Sequence, residues 1–228
     1  MDFIYWAHKT PVGIKVEEIG DETPQISKIW KEMALQIYCE HGKENFREIG
    51  HFQDGAPFIF GLPARISITH TGGLLAVAML PKTPDIELAI FNPRTAMGID
   101  AERLDREQVL KIREKFLSEE ELEFIPKDDL KSHIIAWTAK EAIYKAALTP
   151  GLDFRKDITI NSLPEIDASP EIVDGKDALK IGVATLTLRE AGDNAGVHEM
   201  KLYSYESFGC CLTIAYSPKC AKFAKSVL

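Results

Sequence analysis

Apolar residues recur along the chain at two spacings, and each spacing predicts a different element. Ile26, Ile29, Trp30, Met33 and Ile37 stand three or four apart, the period of one helix face, with Thr23 placed as N-cap and Pro24 at the first helical position. Further on the period shortens. Arg65 to His70, Gly73 to Leu80 and Asp85 to Phe91 read as strands, bounded by the turn segments Thr71-Gly72-Gly73 and Pro81-Lys82-Thr83-Pro84-Asp85. The second part of the chain repeats the plan in altered form. Ser118 to Glu121 has the form of a capping box, with Pro126 closing a short helix, so the acids there have a local explanation. A long helix is expected from Asp128 or Asp129 to Leu148, stopped by Thr149-Pro150-Gly151. Strands are expected after it at Asp157 to Asn161, Leu179 to Arg189, Lys201 to Glu206 and Cys210 to Ala215. The pattern predicts an α+β protein of two similar halves, residues 1–96 and 97–228, each a small, mainly antiparallel sheet packed with a long helix. Direct similarity between the halves is too weak to read as a repeat.

Two segments carry chemistry. In Met97-Gly98-Ile99-Asp100-Ala101-Glu102, strand geometry puts Met97, Ile99 and Ala101 on one face and Gly98, Asp100 and Glu102 on the other, with the two carboxylates roughly 6 to 7 Å apart. On a solvent face this means nothing, but on a covered face the like charges need a cation or a raised pKa. In the long helix, Leu130, Ile134, Trp137, Glu141, Tyr144 and Leu148 form an apolar stripe interrupted by Glu141, flanked by Ile135, Ala139, Ala142, Ile143 and Ala146. A carboxylate inside such a stripe is costly without a partner. Lys145, four residues on, offers an ordinary helix pair as the simplest one.

Composition narrows the function. The 228 residues hold 27 Lys+Arg against 35 Asp+Glu, a formal charge of −8, with 45% hydrophobic content. The acid excess is spread over both parts of the chain, with no basic arm, which argues against nucleic-acid binding. Of the four cysteines Cys39, Cys210, Cys211 and Cys220, none stands in a CxxC pair or at zinc-site spacing from a histidine; they read as reduced, buried residues. The N-terminus lacks the features of a secretory signal, and the longest apolar run, Leu74 to Leu80, is far short of the ~20 residues that span a bilayer. A soluble, cytoplasmic protein with no membrane contact is the expectation.

Asp100, Glu102 and Glu141 together would supply three hard oxygen ligands of the kind that suits Mg2+, and Lys140 and Lys145 add ammonium groups for phosphate oxygens. Such a set suggests chemistry on a phosphoanhydride.

These residues also carry a family resemblance. Gly98-Ile99-Asp100-Ala101-Glu102 and, further on, Trp137-Thr138-Ala139-Lys140-Glu141-Ala142-Ile143-Tyr144-Lys145 resemble the GxDxE and WxxKEAxxK signatures of the 4'-phosphopantetheinyl transferase superfamily. Lys115 to Glu121 is similar to its phenylalanine-serine-glutamate element, Ile66 to Thr71 to its asparagine-isoleucine-serine-histidine-serine motif, and Gly55-Ala56-Pro57 stands where many members have glycine-lysine-proline. The order and the chain length fit the larger, pseudo-dimeric type, with a pseudo-twofold fold.

The resemblance implies transfer of phosphopantetheine from coenzyme A to a serine of an apo acyl or peptidyl carrier protein, releasing adenosine 3',5'-bisphosphate. Carried over residue by residue, Asp100, Glu102 and Glu141 would hold Mg2+, and Glu141 would also assist deprotonation of the serine. Lys145 and Lys140 would contact phosphate oxygens, and Thr69 and His70 would bind coenzyme A phosphates. Residues 1–96 would then hold the phosphate motif and 97–228 the carboxylates. Ala56 departs from the pattern, so a contact must come from elsewhere, such as Arg65 or an N-terminal lysine. Thr69 and Thr71 replace serines and keep the hydroxyl. His70 without its motif would read as a structural residue. An acidic carrier would be repelled by the net charge, but Arg103 to Lys115 carries five basic against three acidic residues and is a candidate docking segment. A monomer is expected. The alternatives are a Mg2+-dependent phosphohydrolase or nucleotidyl transferase, and a non-catalytic coenzyme A or carrier-binding protein.

Overall fold

The segment Leu74–Leu80 is buried at all seven positions, and a strand without a solvent face must be covered on both sides. The computed structural model describes residues 4–6, 12–20, 26–39, 49–51, 57–59, 65–80, 97–167, 180–189 and 196–217, and shows what covers it. In chain order the elements are β1 (Ile4–Trp6), β2 (Gly13–Glu18), α1 (Ile26–Cys39), β3 (Ile49–His51), β4 (Pro57–Ile59), β5 (Arg65–Thr71), β6 (Leu74–Leu80) and β7 (Met97–Arg103). There follow α2 (Gln108–Lys111), α3 (Arg113–Phe116), α4 (Glu119–Phe124), α5 (Leu130–Ala147), β8 (Ile158–Ser162), β9 (Ile166–Asp167), β10 (Gly182–Leu188), β11 (Gly196–Ser207) and β12 (Cys210–Tyr216).

One sheet has the order β1-β2-β6-β5 and a second the order β7-β12-β11-β10-β8, both antiparallel, with β9 joining β11 in parallel. The two sheets stack. Leu74, Ala76, Ala78 and Leu80 of β6 meet Met97, Ile99 and Ala101 of β7 and Leu212 and Ile214 of β12 in one core cluster. The alternate residues Leu75, Val77 and Met79 pack on Trp30, Met33 and Ala34 of α1. The far face of the second sheet packs on α5 through Ala139, Ala142, Ile143 and Ala146. The layers therefore run helix, sheet, sheet, helix, an arrangement consistent with the α+β expectation. No helix among the described residues is long and apolar enough to cross a membrane.

Several expected elements are present with small shifts, including α1, β5, β6, α5 and the four late strands. Asp129 caps α5, its carboxylate accepting from Ser132 N at 3.1 Å, and Leu148 ends the helix in the left-handed region at φ 48°. The capping box at α4 forms with both hydrogen bonds. Thr23, Pro24, Ala56, the Asp85 to Phe91 segment and the division near residue 96 lie outside the described residues. The α5 stripe needs correction. Trp137, Glu141, Tyr144 and Leu148 are only half-buried, and the fully covered face is the run of small residues beside them. Small side chains win that face because the helix lies directly on β7: a Cβ at Gly98 would sit 2.2 Å from Ala142 O and 2.7 Å from Ala146 N.

Cys210 and Cys211 are buried and unbridged, as expected; burial raises the Cys211 thiol to about 11, an inert group at neutral pH. The side chain of Cys39, and Cys220 altogether, lie outside the described residues.

Candidate functional site

The site is the seam where β5, β7 and α5 meet. β5 is the edge of the first sheet and β7 the edge of the second, so β7 presents unpaired backbone N–H groups along that edge. Hydroxyls from β5 satisfy them. Ile99 N donates to Ser67 Oγ at 3.0 Å and Ala101 N to Thr69 Oγ1 at 3.1 Å. One residue further, Thr71 Oγ1 donates to Glu102 Oε1 at 3.4 Å. The alternation Arg65, Ser67, Thr69, Thr71 is thus a polar strand face turned inward against another strand and a helix.

Arg65 makes the third side of the seam. It is 8% exposed, and its Nη2 donates to Lys145 O at 3.1 Å and Ala146 O at 2.9 Å, two carbonyls of the last turn of α5 that no intrahelical donor satisfies. Hydrogen bonds from a charged donor contribute about 1.5–3 kcal/mol each before solvent and entropy corrections. Arg65→Met is therefore expected to lower stability by about 2 kcal/mol, a fall of roughly 4–8 °C in Tm for a chain of this size, read by thermal denaturation.

On the α5 side, Lys145 Nζ donates to Asp100 Oδ1 at 2.7 Å and to Ile68 O at 3.4 Å, joining helix, β7 and β5 at one ammonium. Thr69 Oγ1 donates to the same Asp100 oxygen at 3.2 Å. Glu141 lies one helical turn before Lys145, half-buried. Burial pushes the Asp100 carboxyl above the usual range, with Lys145 and Thr69 pulling it down. Burial also raises Glu141, and the charge of Asp100 adds to the rise while Lys145 opposes it. An acid whose folded pKa is raised binds its proton more tightly folded than unfolded. Its ionisation therefore costs stability as pH climbs from the ordinary carboxylate range through the folded pKa. Without a divalent ion, Asp100→Asn and Glu141→Gln should each flatten the loss of stability between about pH 4 and neutrality, as measured by urea midpoints across that range. A steeper loss in either variant would contradict the assignment.

Beside the ammonium is a cavity of about 230 Å3 between β5 and the C-terminal end of α5, with Arg65, Ser67, Tyr144, Lys145 and Leu148 in its wall. Arg65, Ser67 and Tyr144 were not among the residues singled out from sequence. For the first two, the polar alternation of β5 was the available signal.

Three of the expected roles change. Lys140 is fully buried away from the seam; its Nζ donates to Glu121 Oε2 at 2.6 Å, Phe154 O at 2.7 Å and Ile158 O at 2.8 Å. An ammonium has three N–H groups, so none remains for a phosphate. One residue along a helix turns the side chain by about 100°, which is why Lys140 and its neighbour Glu141 face different surroundings. The hydroxyl of Thr69 is likewise committed: its one proton goes to Asp100, so it holds strands together and has no donor for phosphate. Glu102 is held by Thr71, by Arg103 N at 2.9 Å and by the Arg106 guanidinium. Among the described residues, no group of three or more His, Cys, Asp or Glu converges on a common metal position. The oxygen chemistry and mutual repulsion of Asp100 and Glu141 fit a hard divalent cation, whereas Glu102 as placed is neutralised by Arg106. His70 is exposed at the β5 end and does not line the cavity.

Comparison with known proteins bears on the same elements. Residues 96–189, from β7 through β10, match the family model described as the 4'-phosphopantetheinyl transferase superfamily. The match covers about two-fifths of the chain, takes in Asp100, Glu141 and Lys145, and supports a phosphopantetheine transferase in general. No curated protein matches the chain.

Proposed function

We propose that this protein transfers phosphopantetheine from coenzyme A to a serine hydroxyl of an apo acyl or peptidyl carrier protein, releasing adenosine 3',5'-bisphosphate. The observation that carries the reading is Lys145, bound to Asp100 at 2.7 Å while standing in the wall of the 230 Å3 cavity. Two of its three N–H groups are used, and the third suits a phosphate oxygen in that cavity. Glu141 is a carboxylate with a raised pKa beside it, suited to take the proton of an incoming serine. Arg65 fixes the helix end that carries both, and His70, exposed nearby, is available to a second phosphate.

Asp100 and Glu141 would hold Mg2+, with Glu102 able to join only when Arg106 lets go of it. Bound there, the ion would neutralise charge on the pyrophosphate. The protein's own contribution is positioning: no covalent nucleophile is required. We further read residues 1–96 and 97–228 as two related halves of the larger, pseudo-dimeric type, which makes a monomer sufficient. Support for this comes from the two stacked sheets, each carrying one helix on its outer face.

Product identity tests the reaction. Incubation with coenzyme A, Mg2+ and apo carrier should release adenosine 3',5'-bisphosphate only when the carrier is present. Release of phosphate or pyrophosphate without carrier would instead establish a phosphohydrolase.

The docking proposal for Arg103 to Lys115 also becomes sharper. Arg106 is engaged with Glu102, so reversing it would disturb the acidic seam, whereas Lys111 and Lys115 are exposed. Lys111→Glu with Lys115→Glu should raise KM for an acidic carrier several-fold and leave KM for coenzyme A unchanged, an effect that shrinks in high salt. Steady-state kinetics at two ionic strengths check this.

A further inference from the structure

The hairpin between β11 and β12 ends in a loop that its own backbone disfavours. Ser207 pairs with Cys210, so the loop is the two residues Phe208 and Gly209, and their φ values are 49° and 70°. Positive φ at both central residues defines the tight hairpin turn that suits asparagine-glycine, and a bulky aromatic at the first position is strained there. Packing does not compensate for it, since Phe208 is 50% exposed. A left-handed aromatic side chain that the fold leaves half in water points to a role outside the fold.

The tip lies at one end of the seam. On β12, Cys210 is opposite Arg103, Cys211 opposite Glu102 and Thr213 opposite Asp100, and Gly209 O accepts from Leu104 N at 3.0 Å. Phe208 is therefore about 16 Å along the sheet from the level of Asp100, at about 3.3 Å per residue. Beside it the Arg103 and Arg106 side chains are 53% and 47% exposed, within the segment that is basic in an otherwise acidic chain.

We propose that Phe208 is the apolar anchor of a docking surface for an acidic protein partner, the carrier of the transfer reaction, with Arg103 and the exposed lysines of α2 and α3 as its basic rim. The inference rests on the transferase reading and adds a second contact region, on a different hairpin, to the Arg103 to Lys115 segment. Size supports it. A protein interface covers about 800 Å2 on each side, a disc of about 16 Å radius, so a partner presenting a serine to Asp100 and Lys145 reaches the tip. Aromatic anchors with charged rims are the arrangement in which such surfaces concentrate affinity.

The decisive variant is Phe208→Asn, because asparagine relieves the strain while removing the ring. Tm should rise by about 2–4 °C, the opposite of what loss of a structural aromatic would do. KM for apo carrier should rise at least tenfold, with kcat at saturating carrier and KM for coenzyme A unchanged, and Phe208→Trp should keep the wild-type carrier KM. Calorimetric titration of apo carrier into the protein, without coenzyme A, should show the same order of affinities. An unchanged carrier KM in Phe208→Asn, with transfer by the wild type intact, overturns this proposal and leaves the transferase reading standing. No transfer and no carrier binding by the wild type overturns both. Loss of self-association, or of binding to anionic phosphatidylserine vesicles, in place of a carrier effect would assign the tip to a second copy or a lipid surface and overturn the carrier assignment.

Discussion

Lys140→Met is expected to lower stability by about 3–5 kcal/mol while leaving coenzyme A recognition intact in whatever fraction remains folded. The ammonium and the Glu121 carboxylate are both fully shielded and 2.6 Å apart. Burial pushes the Lys140 ammonium down and the Glu121 charge pulls it back. Glu121 does more than answer one lysine. Its Oε2 also accepts from Ser118 N at 2.7 Å, and its Oε1 accepts from Ile160 N at 2.6 Å, so one carboxylate ties α4, α5 and β8 together. Removing the lysine leaves that carboxylate charged, buried and short of its main partner, the circumstance in which a buried pair costs most. Lys140→Met with Glu121→Gln should be less destabilised than the sum of the single variants by about 1–3 kcal/mol, measured as a urea double-mutant cycle. A Lys140→Met protein of normal stability with a raised KM for coenzyme A would restore Lys140 to the phosphate site.

Gly98→Val should have the other large effect. Even a methyl group at residue 98 meets backbone, the carbonyl oxygen of Ala142 at 2.2 Å, and backbone of a packed helix does not swing aside as a flexible side chain would. Relief requires α5 to lift from β7. Overpacking of this kind costs about 1–3 kcal/mol and sometimes more, and the branched valine belongs at the upper end. The same displacement parts Lys145 and Glu141, on either side of Ala142 and Ala146, from Asp100, two residues beyond Gly98. Activity should therefore fall further than the folded fraction accounts for, which parallel measurement of Tm and of turnover at low temperature will show. Equal losses would mean that the glycine serves packing alone.

The contrast between Lys140 and Lys145 shows what sequence reading could reach. The alternation across Met97 to Glu102 is local, and the structure keeps it: the apolar set faces the other sheet and the carboxylates lie under α5. Asp100 and Glu141 were readable because a buried acid in an apolar pattern stands out. Lys140 misled because its partner, Glu121, already had a complete local explanation as a capping residue, and only the tertiary fold brings the two together. Arg106 was visible four residues after Glu102, but the pair closes over the end of a strand, outside the helical setting where that spacing is usually read. The stripe on α5 was misplaced by part of a turn, because alanines, weak as hydrophobes, are what the closest approach of helix and strand selects. β2 was not expected, although its buried residue Ile14 lies in the core between the sheets.

Raised carboxylate pKa values, a strained hairpin tip and a helix end held by an arginine from another strand all lie along the seam or at its end. Such features cost stability and persist where function needs them. The central claim is that this seam moves phosphopantetheine onto a carrier serine, with Lys145 as the phosphate-holding cation. Intact-protein mass spectrometry of apo carriers from fatty acid, polyketide and peptide synthesis, each incubated with coenzyme A, Mg2+ and this protein, tests it most directly. The account predicts at least one carrier gaining the mass of one phosphopantetheine, with the gain lost in Lys145→Met and in Glu141→Gln under conditions where both variants are folded. Carriers that all stay unmodified with folded wild-type protein, or a gain that survives Lys145→Met undiminished, would contradict it.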